Sequence, residues 1–81
     1  MTTKTALPAK NRLARNISEG HEILLGTDQS DDSEAWGLVI NVLDVVAPAA
    51  FVTFTVEYRG KVATLPAVRR DASLMSRRSA P

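Results

Sequence analysis

Apolar and polar residues alternate most cleanly between Phe51 and Tyr58. Val52, Phe54, Val56 and Tyr58 fall on one side, and Thr53, Thr55 and Glu57 on the other. That period of two is the signature of a half-buried β-strand. Arg59-Gly60 then predicts a tight hairpin turn, with Lys61 to Leu65 returning antiparallel until Pro66 stops the strand or confines it to an edge. Upstream, Ser18-Glu19-Gly20 reads as a turn and His21 to Leu25 as a short strand. Gly26 to Glu34 follows as a polar loop dense in Asp and Ser.

Trp36 to Val46 admits two readings. As a strand it places Trp36, Leu38, Ile40 and Val42 on one face. As a helix over 34–46 it would start from Asp32 or Ser33 and group Trp36, Ile40 and Leu43. Five of its eleven residues are Val or Ile and Gly37 lies within it, which favours the strand. Val39, Leu43 and Val45 then make the second face apolar too, so both faces are expected to be covered. Strands near 21–25, 36–46, 51–58 and 61–65 are thus predicted around a core of Trp36, Leu38, Ile40, Val42, Val52, Phe54, Val56 and Tyr58.

The flanks lack this pattern. Residues 1–17 hold few large apolar groups, and residues 71–81 offer only Leu74 and Met75. Both read as arms that gain too little from burial to offset ordering. The expected organisation is a basic arm over 1–17, a small β-domain over 18–70 and a basic tail over 71–81. The fold class is all-β: a small barrel or a strongly twisted antiparallel sheet with basic arms. A chain of 81 residues forms one small domain, and without Cys it has no disulfide to staple it. Its core must be packed well or completed by association.

Charge sharpens the picture. Residues 1–18 carry four cations and no acid, residues 19–58 eight acids and no Lys or Arg, and residues 59–81 six cations against Asp71. A formal net charge of +1 therefore hides three blocks of alternating sign. Lys10, Arg12, Arg15, Arg69, Arg70, Arg77 and Arg78 are the candidate contacts for a partner or for phosphate, since guanidinium pairs form forks to either oxyanion. Phe51 falls on the polar side of its strand and is the candidate exposed contact. The other aromatics, Trp36, Phe54 and Tyr58, fit the core better than a stacking platform.

Dedicated chemistry is not expected. His21 is the sole imidazole, and a triad with Ser18 or Ser30 and Asp44 lacks a strained nucleophile turn. Asp28, Asp31, Asp32 and Glu34 do not have the spacing of a calcium loop. No enzyme activity, cofactor, metal or small-molecule substrate is expected. No apolar run reaches the roughly 20 residues of a membrane span.

Gly20-His21-Glu22-Ile23-Leu24-Leu25, the acidic loop, Trp36 opening a Val-rich strand, and Val52-Thr53-Phe54-Thr55-Val56 before a Gly turn come in a characteristic order. Over about residues 18–70 this order resembles small SH3-like β-barrel proteins of actinobacterial phages and mobile elements. The resemblance by itself implies no activity. The charge blocks point to a non-enzymatic interaction or assembly module in which basic arms of one copy, or of a partner, lie against the acidic face. Such a module could be a phage structural or accessory protein, in the cytoplasm or on a virion. The expected partner is another protein or further copies of the chain. The alternative is a nucleic-acid-binding accessory protein with its arms on phosphates.

Overall fold

A computed structural model describes residues 9–78. Seven strands, β1 Lys10–Leu13, β2 His21–Asp28, β3 Ser33–Val45, β4 Phe51–Tyr58, β5 Lys61–Thr64, β6 Val68–Arg69 and β7 Ser73–Arg78, form one antiparallel sheet, with a single 3₁₀ turn at Ala14–Asn16. The strand order is β1-β7-β2-β3-β4-β5, and β6 pairs with β4 beyond the break at Pro66. The segment 36–46 is strand, not helix, as its β-branched content favours.

The sheet does not close into a barrel. β1 and β5, four residues each, remain its two open edges. Nor are the described parts of the expected arms free. Residues 10–13 pair with β7, and residues 73–78 lie between β1 and β2. Leu74 and Ser76 turn inward there, and Ser76 is completely buried. A small residue at the crowded centre of three strands serves where the apolar pattern gives no signal. The parts of the arms over 1–8 and 79–81 lie outside the described residues.

Val52, Phe54 and Val56 are buried as the alternation of β4 requires, with Ala14, Ile17, Ile23 and Val39 around them. Val42, Leu65, Val68 and Leu74 pack against this cluster from the margins. Four expected core residues are elsewhere: Trp36, Leu38 and Tyr58 are half-buried and Ile40 is exposed. Tyr58 ends β4, where its hydroxyl donates to Asp28; for the three residues of β3 the reason is a β-bulge. Val39 pairs with Val56 but Asn41 pairs with Thr55, leaving Ile40 as an extra residue. Such an insertion exchanges the faces of a strand. Ala35, Gly37 and Val39 therefore point inward before it, and Val42 after it. Trp36 and Leu38 look outward. A second bulge at Leu25, between the pairs Leu24–Trp36 and Gly26–Ala35, does the same for β2.

Gly37 marks the tightest point of the inner face. A Cβ there would lie 3.0 Å from Leu25 Cδ1 and 3.0 Å from both Cβ and Cγ2 of Val56. The Arg59-Gly60 loop is a two-residue hairpin with both φ positive, at 49° and 78°, the twist that suits adjoining antiparallel strands.

Phe54→Ala is expected to cost about 3–5 kcal/mol in denaturant unfolding, because a ring at the centre of so small a core leaves a cavity that cannot collapse. Gly37→Ala is expected to destabilise by about 1–3 kcal/mol through overpacking against the stiff Val56 side chain. A melting temperature equal to that of the parent for either variant would contradict this packing.

Candidate functional site

Four of the eight candidate contacts meet at one place. Arg15, Phe51, Arg69 and Arg70 line a cleft of about 470 Å³ together with Ala49, Ala50 and Asp71. The walls come from three separate stretches of chain held by main-chain bonds. The Arg15 N–H donates to the Arg70 carbonyl at 3.1 Å, the Arg70 N–H to the Ala50 carbonyl at 3.3 Å, and the Ala14 N–H to the Ala72 carbonyl at 2.8 Å. Phe51 pairs with Arg69 across β4 and β6, which fixes its position at the cleft.

The other candidates go to two places. Arg77 points to the outer face, where its guanidinium lies 4.1 Å from the Trp36 ring centre and its Nε donates to Glu22 Oε1 at 2.9 Å. This cover, part cation–π and part ion pair, explains how an outward Trp36 remains half-buried. Lys10, Arg12 and Arg78 occupy the opposite face at the β1–β7–β2 end, beside His21. Lys10 pairs with Ser76, Arg12 with Leu74 and Arg78 with His21. The buried Nε of Arg12 and the buried hydroxyl of Ser76 have no hydrogen-bond partner among the described residues. Partial burial, then the charges of Arg12 and Arg78, hold His21 below its ordinary pKa. Its Nδ1 accepts the Ser18 N–H at 3.0 Å, which fits the neutral ring.

Four of the eight acids of the middle block, Glu22, Asp28, Asp31 and Asp44, are paired with arginines of the chain. Arg70 makes a two-pronged fork to Asp44, with Nε donating to Oδ1 at 2.7 Å and Nη2 to Oδ2 at 3.1 Å. Arg59 reaches Asp28 at 3.1 Å and Asp31 at 2.6 Å. Asp28 also accepts the Ser30 hydroxyl at 2.6 Å, the Ser30 N–H at 2.9 Å and the Tyr58 hydroxyl at 2.8 Å. Of the groups of a triad, Ser30 is engaged with Asp28, Asp44 with Arg70, and the Nδ1 of His21 with the Ser18 N–H. Among the described residues no group of three or more His, Asp or Glu is placed to hold a metal ion, and no helix is long and apolar enough to cross a membrane.

The contribution of Asp44, Glu22 and Asp71 to these sites was not singled out from the sequence. Their one signal is the charge blocks: acids concentrated in the middle of the chain face cations from its flanks once the flanks join the sheet.

The bonds from Ser30, then from Tyr58, with the charge of Arg59, hold the Asp28 carboxyl down at about 2 against an ordinary 3.8. A carboxyl depressed on folding stabilises above its unfolded pKa and loses that contribution as pH falls through its folded one. Thermal unfolding between pH 4 and pH 2 is therefore expected to show stability falling in the parent. Asp28→Asn is expected to be less stable at pH 7 and to flatten this acid limb. An acid limb of unchanged steepness in the variant would remove Asp28 from that role.

Comparison of the chain with protein-family models, with curated proteins and with solved structures finds no match.

Proposed function

We propose that this protein is a non-enzymatic interaction module that associates with further copies or a protein partner through the uncovered outer face of β3, β4 and β5, flanked by basic residues. The observation that carries this reading is the composition of that face. Leu43 pairs with Thr53, Val45 with Phe51, Asn41 with Thr55 and Thr55 with Thr64. Together they make a stripe without charge in which Leu43 is 57% exposed; further along the face Val62, 59% exposed, pairs with Glu57. Exposed apolar groups of this kind are what association surfaces bury. Its margin carries Arg69 and the cleft arginines, which give a partner its orientation. A component of a larger particle, the kind of protein the sequence resemblance suggests, fits this organisation.

A second reading has its own support. Lys10, Arg12 and Arg78 gather beside His21 with no ion pair among the described residues. Like charges held together are suited to the phosphates of a nucleic acid.

Light scattering at several protein concentrations and two salt concentrations tests the first reading. The parent is expected to exceed the mass of a single chain, and Leu43→Asp with Val62→Asp to return it to one chain with its melting temperature retained. A parent that stays a single chain throughout removes self-association. Anisotropy with duplex DNA tests the second: replacing Lys10, Arg12 and Arg78 by Gln is expected to reduce the salt slope by about one unit per cation.

A further inference from the structure

The cleft at Arg15, Phe51, Arg69 and Arg70 shares Phe51 with the apolar outer face and adds a concavity lined by arginines. Its three arginines are not equally occupied. Arg70 is committed, since both prongs of its fork hold Asp44 at 2.7 and 3.1 Å. Arg69 meets only Asp71, through Nε at 3.5 Å, and both side chains are mostly exposed, at 78% and 64%. A contact so long and so wet contributes little, and it leaves the Nη donors of Arg69 open. Arg15 has no ion pair among the described residues. Two arginines without a strong ion pair among the described residues therefore line a concavity of about 470 Å³, within the range of small-molecule sites. Its main-chain walls are already fixed by the bonds from Arg15 to Arg70 and from Arg70 to Ala50, so the ordering left for binding is that of the exposed Arg15 and Arg69 side chains.

Two guanidiniums call for a dianion. A phosphate monoester carries about −1.5 to −2 at neutral pH and presents three acceptor oxygens. A single carboxylate would leave one arginine unanswered. The ring of Phe51, 41% exposed at the same cleft, adds an apolar face on which a flat group stacks. Asp71 adds an acceptor, which requires a ligand that also brings a hydroxyl or amino donor. Phosphate, flat ring and donor in one molecule describe a nucleotide, whereas an aryl phosphate lacks the donor.

We propose that this cleft binds a nucleotide, with its phosphate between Arg15 and Arg69, its base on Phe51 and a sugar hydroxyl or amino group donating to Asp71. A free mononucleotide and the phosphorylated end of a strand offer the same chemistry.

The test is an amide NMR titration of the full chain with adenosine monophosphate, inorganic phosphate, phenyl phosphate, and a short single-stranded oligonucleotide with and without a 5′-phosphate. Saturable shifts confined to residues 14–16, 49–52 and 69–72 are expected with adenosine monophosphate or with the phosphorylated oligonucleotide; whichever binds more tightly identifies the source. Arg15→Gln and Arg69→Gln are each expected to weaken binding about tenfold, as loss of one charge-assisted contact does, with the melting temperature unchanged. Phe51→Ala is expected to weaken the nucleotide and leave inorganic phosphate unaffected. The proposal is overturned if no titration saturates, or if the shifts fall elsewhere. It is also overturned if inorganic or phenyl phosphate binds as tightly as the nucleotide, if the oligonucleotide binds equally without its phosphate and the mononucleotide not at all, or if the arginine variants bind like the parent. The Leu43→Asp, Val62→Asp variant is expected to keep nucleotide binding, so failure of the association surface and failure of the cleft are read separately.

Discussion

A single sheet has to supply both sides of its own core. Among the described residues no α-helix lies across it, and the stripe Val52, Phe54 and Val56 is covered by neighbouring strands and by the short segments bearing Ala14, Ile17, Leu65 and Val68. Every other feature follows from keeping that stripe dry. The bulges at Leu25 and Ile40 strengthen the local twist and bend β2 and β3 around it. Gly37 lets β3 approach Val56 without a side chain between them. A core this small leaves little margin, and the other side of the same strands stays uncovered.

Electrostatics follow the same geometry. Arg59, Arg70 and Arg77 each bridge elements distant in sequence: Arg59 from the β4–β5 turn to the β2–β3 loop, Arg70 from the turn after β6 to β3, and Arg77 from β7 to β2. Individually such partly exposed pairs stabilise weakly. Their larger effect is on what the surface presents, because they silence Asp28, Asp31, Asp44 and Glu22. The near-neutral total is thus a sum of matched pairs, of acids without an ion pair among the described residues (Glu19, Asp32, Glu34 and Glu57), and of cations without one, such as Arg12, Arg15 and Arg78.

The sequence was readable where one face was polar and obscure where both were apolar. In β4 the threonines mark the phase without ambiguity, and its buried residues are those the alternation indicates. In β3 the period was right and the phase was wrong for the first half. Val39, Leu43 and Val45 are as apolar as Leu38, Ile40 and Val42, so no polar residue marks the bulge. The Asp-Ser turn was legible because its hydrogen bonds are local, Asp28 to Ser30 and Asp31 to Ser33, but it spans only 29–32: Gly26 to Asp28 extend β2, and Ser33 and Glu34 begin β3. β7 was not, since its inner face is one Leu, one Ser and one Arg. The cleft was half visible: its four key residues were marked as contacts, but the main-chain bonds that assemble them have no signature in side-chain type.

The place of β7 has a consequence for how the molecule is made. β2 to β5 follow one another along the chain as antiparallel neighbours, joined by local turns. β1 touches the sheet only through β7, so Lys10 waits for Ser76 across nearly the whole chain. Until β7 arrives, the edge of β2 is bare and Lys10–Leu13 has no strand to pair with, a state open to pairing with other molecules. Closing so long a loop is entropically costly and slow compared with forming hairpins. The strand that looks like a charged tail is therefore the clasp of the fold: it joins the two ends of the chain, and a nascent chain that lacks it holds an unfinished edge at each side of a nearly complete core.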